Sequence, residues 1–150
     1  MRIIFTLALF VFTSLTVSAQ STREVKWTFT TKKVADNTYQ VMMTANINGN
    51  YHMYALNAGE GPVPTSFEFS RNPLVQLDGK MKEVGTIKKA YEDVFGSEVR
   101  FYEKQVSFIQ QVKVRGSAKN SLAGKVEFMV CNDKECLPPA TVDFNVSIGG

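Results

Sequence analysis

The sequence contains very little histidine and cysteine. One histidine, His52, and two cysteines, Cys131 and Cys136, stand among 150 residues. A four-ligand zinc site cannot be assembled from so few soft ligands within the chain. A hydrolase with a Ser-His-Asp triad would have to use His52, and no nucleophile-elbow sequence accompanies it. These absences disfavour a zinc enzyme and a triad hydrolase.

Charge of one sign is not concentrated anywhere. The 17 basic residues are scattered among 14 acidic ones, and the formal net charge is +3 at pH 7. Nucleic-acid-binding domains usually carry a basic patch or stripe, so we expect no nucleic-acid partner. With 44% hydrophobic residues, 10 Gly and 5 Pro, the chain is neither disordered nor collagen-like and fits one compact domain.

The one long apolar run lies at the amino terminus. Residues 3–17 are apolar apart from Thr and Ser, follow a short basic start and lead into the small residues Ser18 and Ala19. This pattern is typical of a secretory signal peptide, residues 1–19, removed after Ala19. The run is too short for a comfortable membrane span. We therefore predict an exported chain, residues 20–150, without stable membrane insertion, in an oxidising compartment where two thiols can pair.

Short segments of alternating hydrophobicity recur along the mature chain. They lie at residues 25–30, 39–45, 66–69, 98–102, 106–114, 125–130 and 141–148, and Gly, Asn, Asp and Ser residues predict turns at 36–37, 48–50, 78–79, 116–117 and 123–124. Many short strands with frequent turns favour an all-β fold, an immunoglobulin-like antiparallel β-sandwich. Its core is expected to contain the aromatic residues Trp27, Phe29, Phe67, Phe69, Phe108 and Phe128.

The cysteine pair is the feature with the clearest chemistry. Only four residues separate Cys131 from Cys136, and a turn through Asn132 and Asp133 would let the two sulfurs form a disulfide. Such a bond can be a structural staple, as is common in exported domains. However, closing so short a loop stabilises a fold by only roughly 2 kcal/mol, and a disulfide on a polar turn is accessible to a partner thiolate. A redox role is favoured, and a non-catalytic binding module with a structural disulfide remains the alternative.

Copper(I) is the remaining metal candidate. The side chains of Met42, Met43, Met53, Met129 and His52, with the cysteine pair, are soft ligands of the type that copper(I) prefers. No Met-x-x-Met or His-rich run organises them, and methionines in alternating strands usually fill cores. His52 is expected to be a surface or structural residue. We expect no metal and no cofactor.

The segment from 125 to 146, KVEFMVCNDKECLPPATVDFNV, resembles a known family. It is similar to the active-site segment of the N-terminal periplasmic domain of the thiol:disulfide interchange protein DsbD, where a strand ends in Cys, a short acidic turn leads to a second Cys and Pro-Pro follows. Residues 48–54 are similar to a turn and strand of that domain, and residues 91–96 to its cap loop.

The resemblance implies an immunoglobulin-like periplasmic domain that carries reducing equivalents, a thiol:disulfide oxidoreductase of the protein-disulfide reductase type. A thioredoxin-like domain of a membrane electron-transfer protein would reduce the cysteine pair. Periplasmic thioredoxin-fold proteins would then receive the electrons. Carried over to this sequence, Cys136 forms the mixed disulfide with a partner and Cys131 resolves it.

The resemblance also implies roles for residues around the cysteines. Phe95 is expected as the cap residue that shields the sulfurs until a partner displaces it. Tyr51 and Tyr54 are expected to line the site. Glu92 and Asp93 match acidic positions of the cap loop that could influence proton transfer.

Three departures from the family pattern bear on these expectations. The cysteines are one residue closer in sequence than is usual, so the geometry of the loop is expected to differ. The cap segment is one residue shorter, so Val94 remains an alternative to Phe95 as the cap residue. The chain has neither the membrane helices nor the thioredoxin-like domain of the full-length protein, so the electron donor is expected to be a separate polypeptide.

Overall fold

The fold is known from a computed structural model that describes residues 21–149. The expected signal peptide, residues 1–19, lies outside the described residues. The described chain comprises, in order, α1 Ser21–Glu24, β1 Val25–Ala35, β2 Thr38–Ile47, β3 His52–Gly59, β4 Ser66–Phe69, β5 Val75–Val84, β6 Lys88–Glu92, β7 Ser97–Glu103, β8 Gln105–Val114, β9 Asn120–Phe128, β10 Val130–Cys131 and β11 Ala140–Ile148. The all-β prediction is confirmed. No helix within residues 21–149 has the length and apolar character needed to cross a bilayer.

The strands form three antiparallel sheets. Their strand orders are β1-β2-β8-β5, β10-β3-β7-β6 and β11-β9-β4. In β2 and β8 every second residue is buried, which is the pattern of a strand with one face on a core. The buried faces of the three sheets meet in one main core. An antiparallel sandwich of this kind leaves loops at its ends, where binding residues can be placed.

The predicted aromatic residues occupy the main core or its border. Phe108 and Phe128 are fully buried. Trp27 is partly buried and packs against both rings, with centroid distances of 6.0 Å to Phe108 and 5.6 Å to Phe128. The other three are also partly buried and pack against this core: Phe29, Phe67 and Phe69.

Two of the predicted turns lie inside strands. Residues 78–79 fall within β5, where Gly79 has a φ of 76° and the register with β8 shifts after Asp78, so the turn signal marks a β-bulge. Residues 123–124 fall within β9, and the predicted turn there is wrong. A Cβ on Gly124 would lie 2.4 Å from the carbonyl oxygen of Glu68 and 2.7 Å from Cζ of Phe144. That glycine permits a close approach of neighbouring strands instead of a turn.

The chain changes sheets at Met129. β9 ends at Phe128 and belongs to the third sheet, whereas β10 pairs with β3 in the second sheet, Val130 opposite Met53 and Cys131 opposite His52. The single predicted strand over 125–130 is therefore two strands. This switch carries Cys131 away from the sheet that leads up to it and onto the edge of another one.

The second sheet, β10-β3-β7-β6, is covered on both faces. Met53, Tyr102 and Val130 contribute to the main core. Their immediate neighbours Tyr54, Phe101 and Cys131, whose side chains point the other way, form a smaller second cluster of buried residues with Ala58 and Val99. Four partly buried residues pack against this cluster: Ala90, Phe95, Met129 and Cys136. The cysteine pair thus belongs to a small apolar layer on the outside of the sandwich.

Candidate functional site

Cys131 and Cys136 form a disulfide, with an S–S distance of 2.02 Å. The two residues oppose each other as an isolated antiparallel bridge. The hydrogen bonds lie on either side of them, from the Asn132 amide to the Glu135 carbonyl and from the Leu137 amide to the Val130 carbonyl, both 2.9 Å. A pair of this kind without hydrogen bonds brings the Cα atoms close together. Their separation of 4.0 Å is accordingly shorter than the roughly 4.4–6.8 Å that is usual between the Cα atoms of a disulfide.

The turn between the cysteines is organised by Asn132. Its Oδ1 accepts hydrogen bonds from the backbone amides of Lys134 at 2.9 Å and Glu135 at 3.0 Å. An Asn side chain that bonds to amides further along the chain stabilises a tight turn. Glu135 also accepts a hydrogen bond from the Tyr51 hydroxyl at 2.9 Å, which raises the pKa of Tyr51. The turn is therefore tied to the segment just before β3.

The two cysteines differ in their access to solvent. Cys131 is 1% exposed, whereas Cys136 is partly exposed and lines a cleft of about 770 Å³. The cleft lies between the 132–135 turn, the start of β3 and the end of β6, and Tyr51, Glu92 and Val94 also line it. A thiolate that enters this cleft therefore meets Cys136, whereas Cys131 does not line the cleft.

Residues 93–96 connect β6 to β7 and form the loop that was expected to cap the cysteines. The amides of Phe95 and Gly96 donate to the Glu92 carbonyl at 3.1 and 2.8 Å. Gly96 has a φ of 65°, which glycine adopts without strain. The loop is thus a tight hairpin turn closed on the last residue of β6.

The two apolar residues of this loop are placed differently. Val94 is 72% exposed and lines the cleft together with Cys136. Phe95 is partly buried, packs against the second cluster and meets the Tyr54 ring edge-on at 5.9 Å. Its other side lies so close to Gly61 that a Cβ there would be 2.7 Å from the Phe95 Cβ. Phe95 is therefore an inward-packed residue, and Val94 is the apolar side chain at the mouth of the cleft.

Glu92 joins the cap loop to β3. Its Oε2 accepts a hydrogen bond of 2.7 Å from the Tyr54 hydroxyl, and its Oε1 lies 2.9 Å from Nε2 of His52. Tyr54 is fully buried. Burial, and then the hydrogen bond and charge of Glu92, raise the pKa of the Tyr54 hydroxyl, so it remains a donor. Asp93, the other acidic residue expected here, is exposed at the rim of the cleft.

The sequence did not indicate the position that His52 takes. It lies directly opposite Cys131 in the register of β3 and β10, and its ring packs on Phe101 with centroids 4.4 Å apart. Burial lowers the pKa of His52, and the charge of Glu92 opposes that shift. His52 and Tyr54 are two residues apart in a strand, so their side chains lie on one face. This spacing could have indicated that they share a site.

Three of the methionines considered as copper(I) ligands are divided between the two clusters of buried residues. Met43 and Met53 are fully buried in the main core, while Met129 packs against the second cluster. Across residues 21–149 no three side chains among His, Cys, Asp and Glu are grouped so that they could hold a metal ion.

Comparisons with known proteins agree with this architecture. Residues 18–148 match the family described as "Thiol:disulfide interchange protein DsbD, N-terminal". The structure is similar to the reduced DsbD N-terminal domain of Neisseria meningitidis, with a TM-score of 0.58 and 17% identity over 86% of this chain and 89% of that one. It is also similar to the N-terminal periplasmic domain of ScsB from Proteus mirabilis, with a TM-score of 0.61 and 14% identity over 86% of this chain and 47% of that one.

At these identities the structural likeness concerns the fold, and it confirms the expected immunoglobulin-like class. This chain spans about half of the ScsB chain. No curated protein matches the sequence.

Proposed function

The chain belongs to the family of DsbD N-terminal domains, and from this premise we propose that it relays reducing equivalents through reversible formation of the Cys131–Cys136 disulfide. The observation that carries the proposal is the unequal exposure of the two cysteines, since Cys136 lines a cleft and Cys131 is buried. A bond that served only to stabilise this turn would not need one cysteine at a cleft, whereas exchange with a partner thiolate requires an accessible sulfur.

The proposed reaction is a two-electron exchange in two steps. A thiolate of the electron donor attacks Sγ of Cys136, which forms a mixed disulfide and releases Cys131 as a thiolate. The second thiolate of the donor then attacks the donor sulfur of the mixed disulfide. The donor leaves oxidised, and this chain is left with two reduced cysteines.

Delivery of the electrons runs through the same sulfur. The Cys136 thiolate attacks the disulfide of an acceptor, and one acceptor thiolate leaves. Cys131 then attacks Cys136, re-forms the internal disulfide and releases the second acceptor thiolate. In this scheme Cys136 contacts partners and Cys131 resolves the mixed disulfide.

We propose distinct roles for the surrounding side chains. Val94 is the apolar residue that a partner displaces from the mouth of the cleft, and Phe95 anchors the hairpin from below. Tyr51 lines the cleft and bonds to Glu135, while the buried Tyr54 bonds to Glu92. Glu92 and Asp93 are the cap-loop acids, of which only Glu92 is bonded to β3.

The partners we propose are thioredoxin-fold proteins on both sides. The donor is a thioredoxin-like domain of a membrane electron-transfer protein, and the acceptors are thioredoxin-fold proteins of the periplasm. The periplasm is supported as the compartment by the ScsB domain, which is described as periplasmic, and it requires export by the amino-terminal signal peptide with cleavage after Ala19. In this role the chain acts as a protein-disulfide reductase that is reoxidised by its acceptors.

The midpoint potential of the cysteine pair tests the relay. Purified protein is equilibrated with glutathione buffers of graded potential, and thiol alkylation followed by mass measurement gives the oxidised fraction. We expect a midpoint in the range of thioredoxin-like proteins, from about −270 to −120 mV. A disulfide that stays oxidised well below about −300 mV would mark it as structural and favour the non-catalytic binding module.

A trapping experiment tests the roles of the two cysteines. Cys131→Ser removes the resolving sulfur, so the variant should accumulate a mixed disulfide with a thioredoxin variant that keeps only its attacking cysteine and carries it as a mixed disulfide with thionitrobenzoate. Cys136 displaces the thionitrobenzoate thiolate, and the protein complex is visible on a non-reducing gel. Cys136→Ser is the matched control and should accumulate little. Equal trapping by the two variants would contradict the assignment of Cys136 as the partner-facing sulfur.

A further inference from the structure

A partly buried polar network connects the strand opposite Cys131 to the hairpin beside the cleft. We propose that His52 is a positioning residue that, through Glu92, holds the 93–96 hairpin closed and so limits the rate at which a thiolate reaches Cys136. The inference rests on the proposed relay for its biological meaning, although the closure itself is a property of the fold.

Glu92 is placed to control the hairpin because its backbone carbonyl and its side-chain carboxylate bond to different elements. Its carbonyl oxygen accepts the amides of Phe95 and Gly96, so the loop is closed on this residue. Its carboxylate accepts a hydrogen bond from Tyr54 and lies 2.9 Å from Nε2 of His52, both on β3. Movement of the loop away from the cleft therefore pulls on a carboxylate that is bonded to β3.

His52 is a well-fixed partner for this carboxylate. Its side chain is 12% exposed and that of Glu92 is 16% exposed. The imidazole packs on the ring of Phe101 and meets the ring of Tyr54 edge-on. Opening the hairpin would separate the Glu92 carboxylate from His52 Nε2. A polar group that loses its hydrogen-bond partner in apolar surroundings costs free energy, so the bond between these two residues disfavours the open hairpin.

His52 lies close to both cysteines, so closure of the hairpin bears on access to the disulfide. His52 lies directly opposite Cys131, and Cys136 shares the cleft with His52, Glu92 and Val94. Loss of the bond between His52 and Glu92 leaves this carboxylate with Tyr54 as its partner on β3, and so loosens the wall of the cleft that is next to Cys136. Removing one hydrogen bond to a charged group is expected to raise the population of the open hairpin roughly tenfold.

The test compares two substitutions of His52 in the full mature protein. His52→Phe keeps a ring against Phe101 but has no donor, whereas His52→Gln places an amide N–H where Nε2 stood. The rate constant for reduction of the disulfide by dithiothreitol, an uncharged dithiol, is measured in native buffer. We expect reduction to be roughly tenfold faster in His52→Phe, and His52→Gln to restore a rate within about twofold of wild type.

Val126→Ala is the control for a general loss of stability. Val126 is fully buried in the main core, so this substitution weakens the fold without altering the hairpin. Its reduction rate should equal that of wild type while urea unfolding shows a lower midpoint. The proposal is overturned if His52→Phe reacts at the wild-type rate, if His52→Gln is as fast as His52→Phe, or if Val126→Ala is accelerated to the same extent.

The relay and the closure can fail separately. A wild-type protein that exchanges readily with thioredoxin, with His52 variants that all react alike, would support the relay and refute the closure. A protein that does not exchange with thioredoxin, but whose reduction by dithiothreitol follows the expected order of variants, would refute the relay and support the closure.

Discussion

Replacement of Phe95 by alanine should lower the stability of the protein, whereas replacement of Val94 should leave stability almost unchanged and speed exchange. Phe95 is partly buried against the second cluster and lies between Tyr54 and Gly61. Truncation of a fully buried Phe to Ala typically lowers the free energy of unfolding by about 3–5 kcal/mol. Since Phe95 is only partly buried, we expect a loss of about 2 kcal/mol. Val94 is 72% exposed, so Val94→Ala should stay within about 0.5 kcal/mol of wild type.

Urea unfolding of the oxidised proteins, followed by the fluorescence of Trp27, measures both values. Trp27 is the one tryptophan of the chain and packs against the main core, so its signal reports global unfolding. The same variants are then assayed for thioredoxin-catalysed reduction of the disulfide, where Val94→Ala should be faster than wild type because a side chain at the mouth of the cleft is removed. If Phe95→Ala is as stable as wild type, Phe95 is a displaceable lid and the division of roles between the two residues is wrong.

Three further predictions concern the disulfide, a strand glycine and the histidine. Reduction of Cys131–Cys136 should lower the free energy of unfolding by about 2 kcal/mol, as loop-closure entropy predicts for a short loop; a loss above about 4 kcal/mol in urea unfolding would indicate a mainly structural bond. Gly124→Ala should cost roughly 1–3 kcal/mol because its Cβ meets the Glu68 carbonyl and the Phe144 ring, and an unchanged melting temperature would contradict the close approach. Burial lowers the pKa of His52 from 6.5, so the unfolded chain binds the proton more readily and stability should fall as the pH drops below about 6.5. The difference in unfolding free energy between wild type and His52→Gln should therefore change over this interval. A constant difference would refute the lowered pKa.

The fold class was accessible from the sequence because most core strands alternate clearly. β2 and β8 bury every second residue, and their segments were predicted from that period. β5 and β6 escaped prediction because they are edge strands of their sheets with mostly exposed side chains. Exposed edges lack the apolar alternation on which strand prediction depends.

The candidate site was only partly accessible. The short spacing of Cys131 and Cys136 predicts their disulfide, since residues so close in sequence can meet in one turn. The bond between His52 and Glu92 could not be predicted, because it depends on β6 lying beside β7, and β6 itself was missed. The resemblance to the DsbD family named Glu92 as a cap-loop acid without indicating which residue it contacts.

The hydrogen bonds that flank the disulfide do not involve the sulfur atoms. They join Asn132 to Glu135 and Leu137 to Val130, so they can persist when the S–S bond is broken. The two thiols of the reduced protein then stay opposite each other. Each is present at a high effective concentration near the other, because no rearrangement of the backbone is needed to bring them together. A covalent complex formed at Cys136 should therefore have a short lifetime, and the protein should release one partner quickly enough to meet the next.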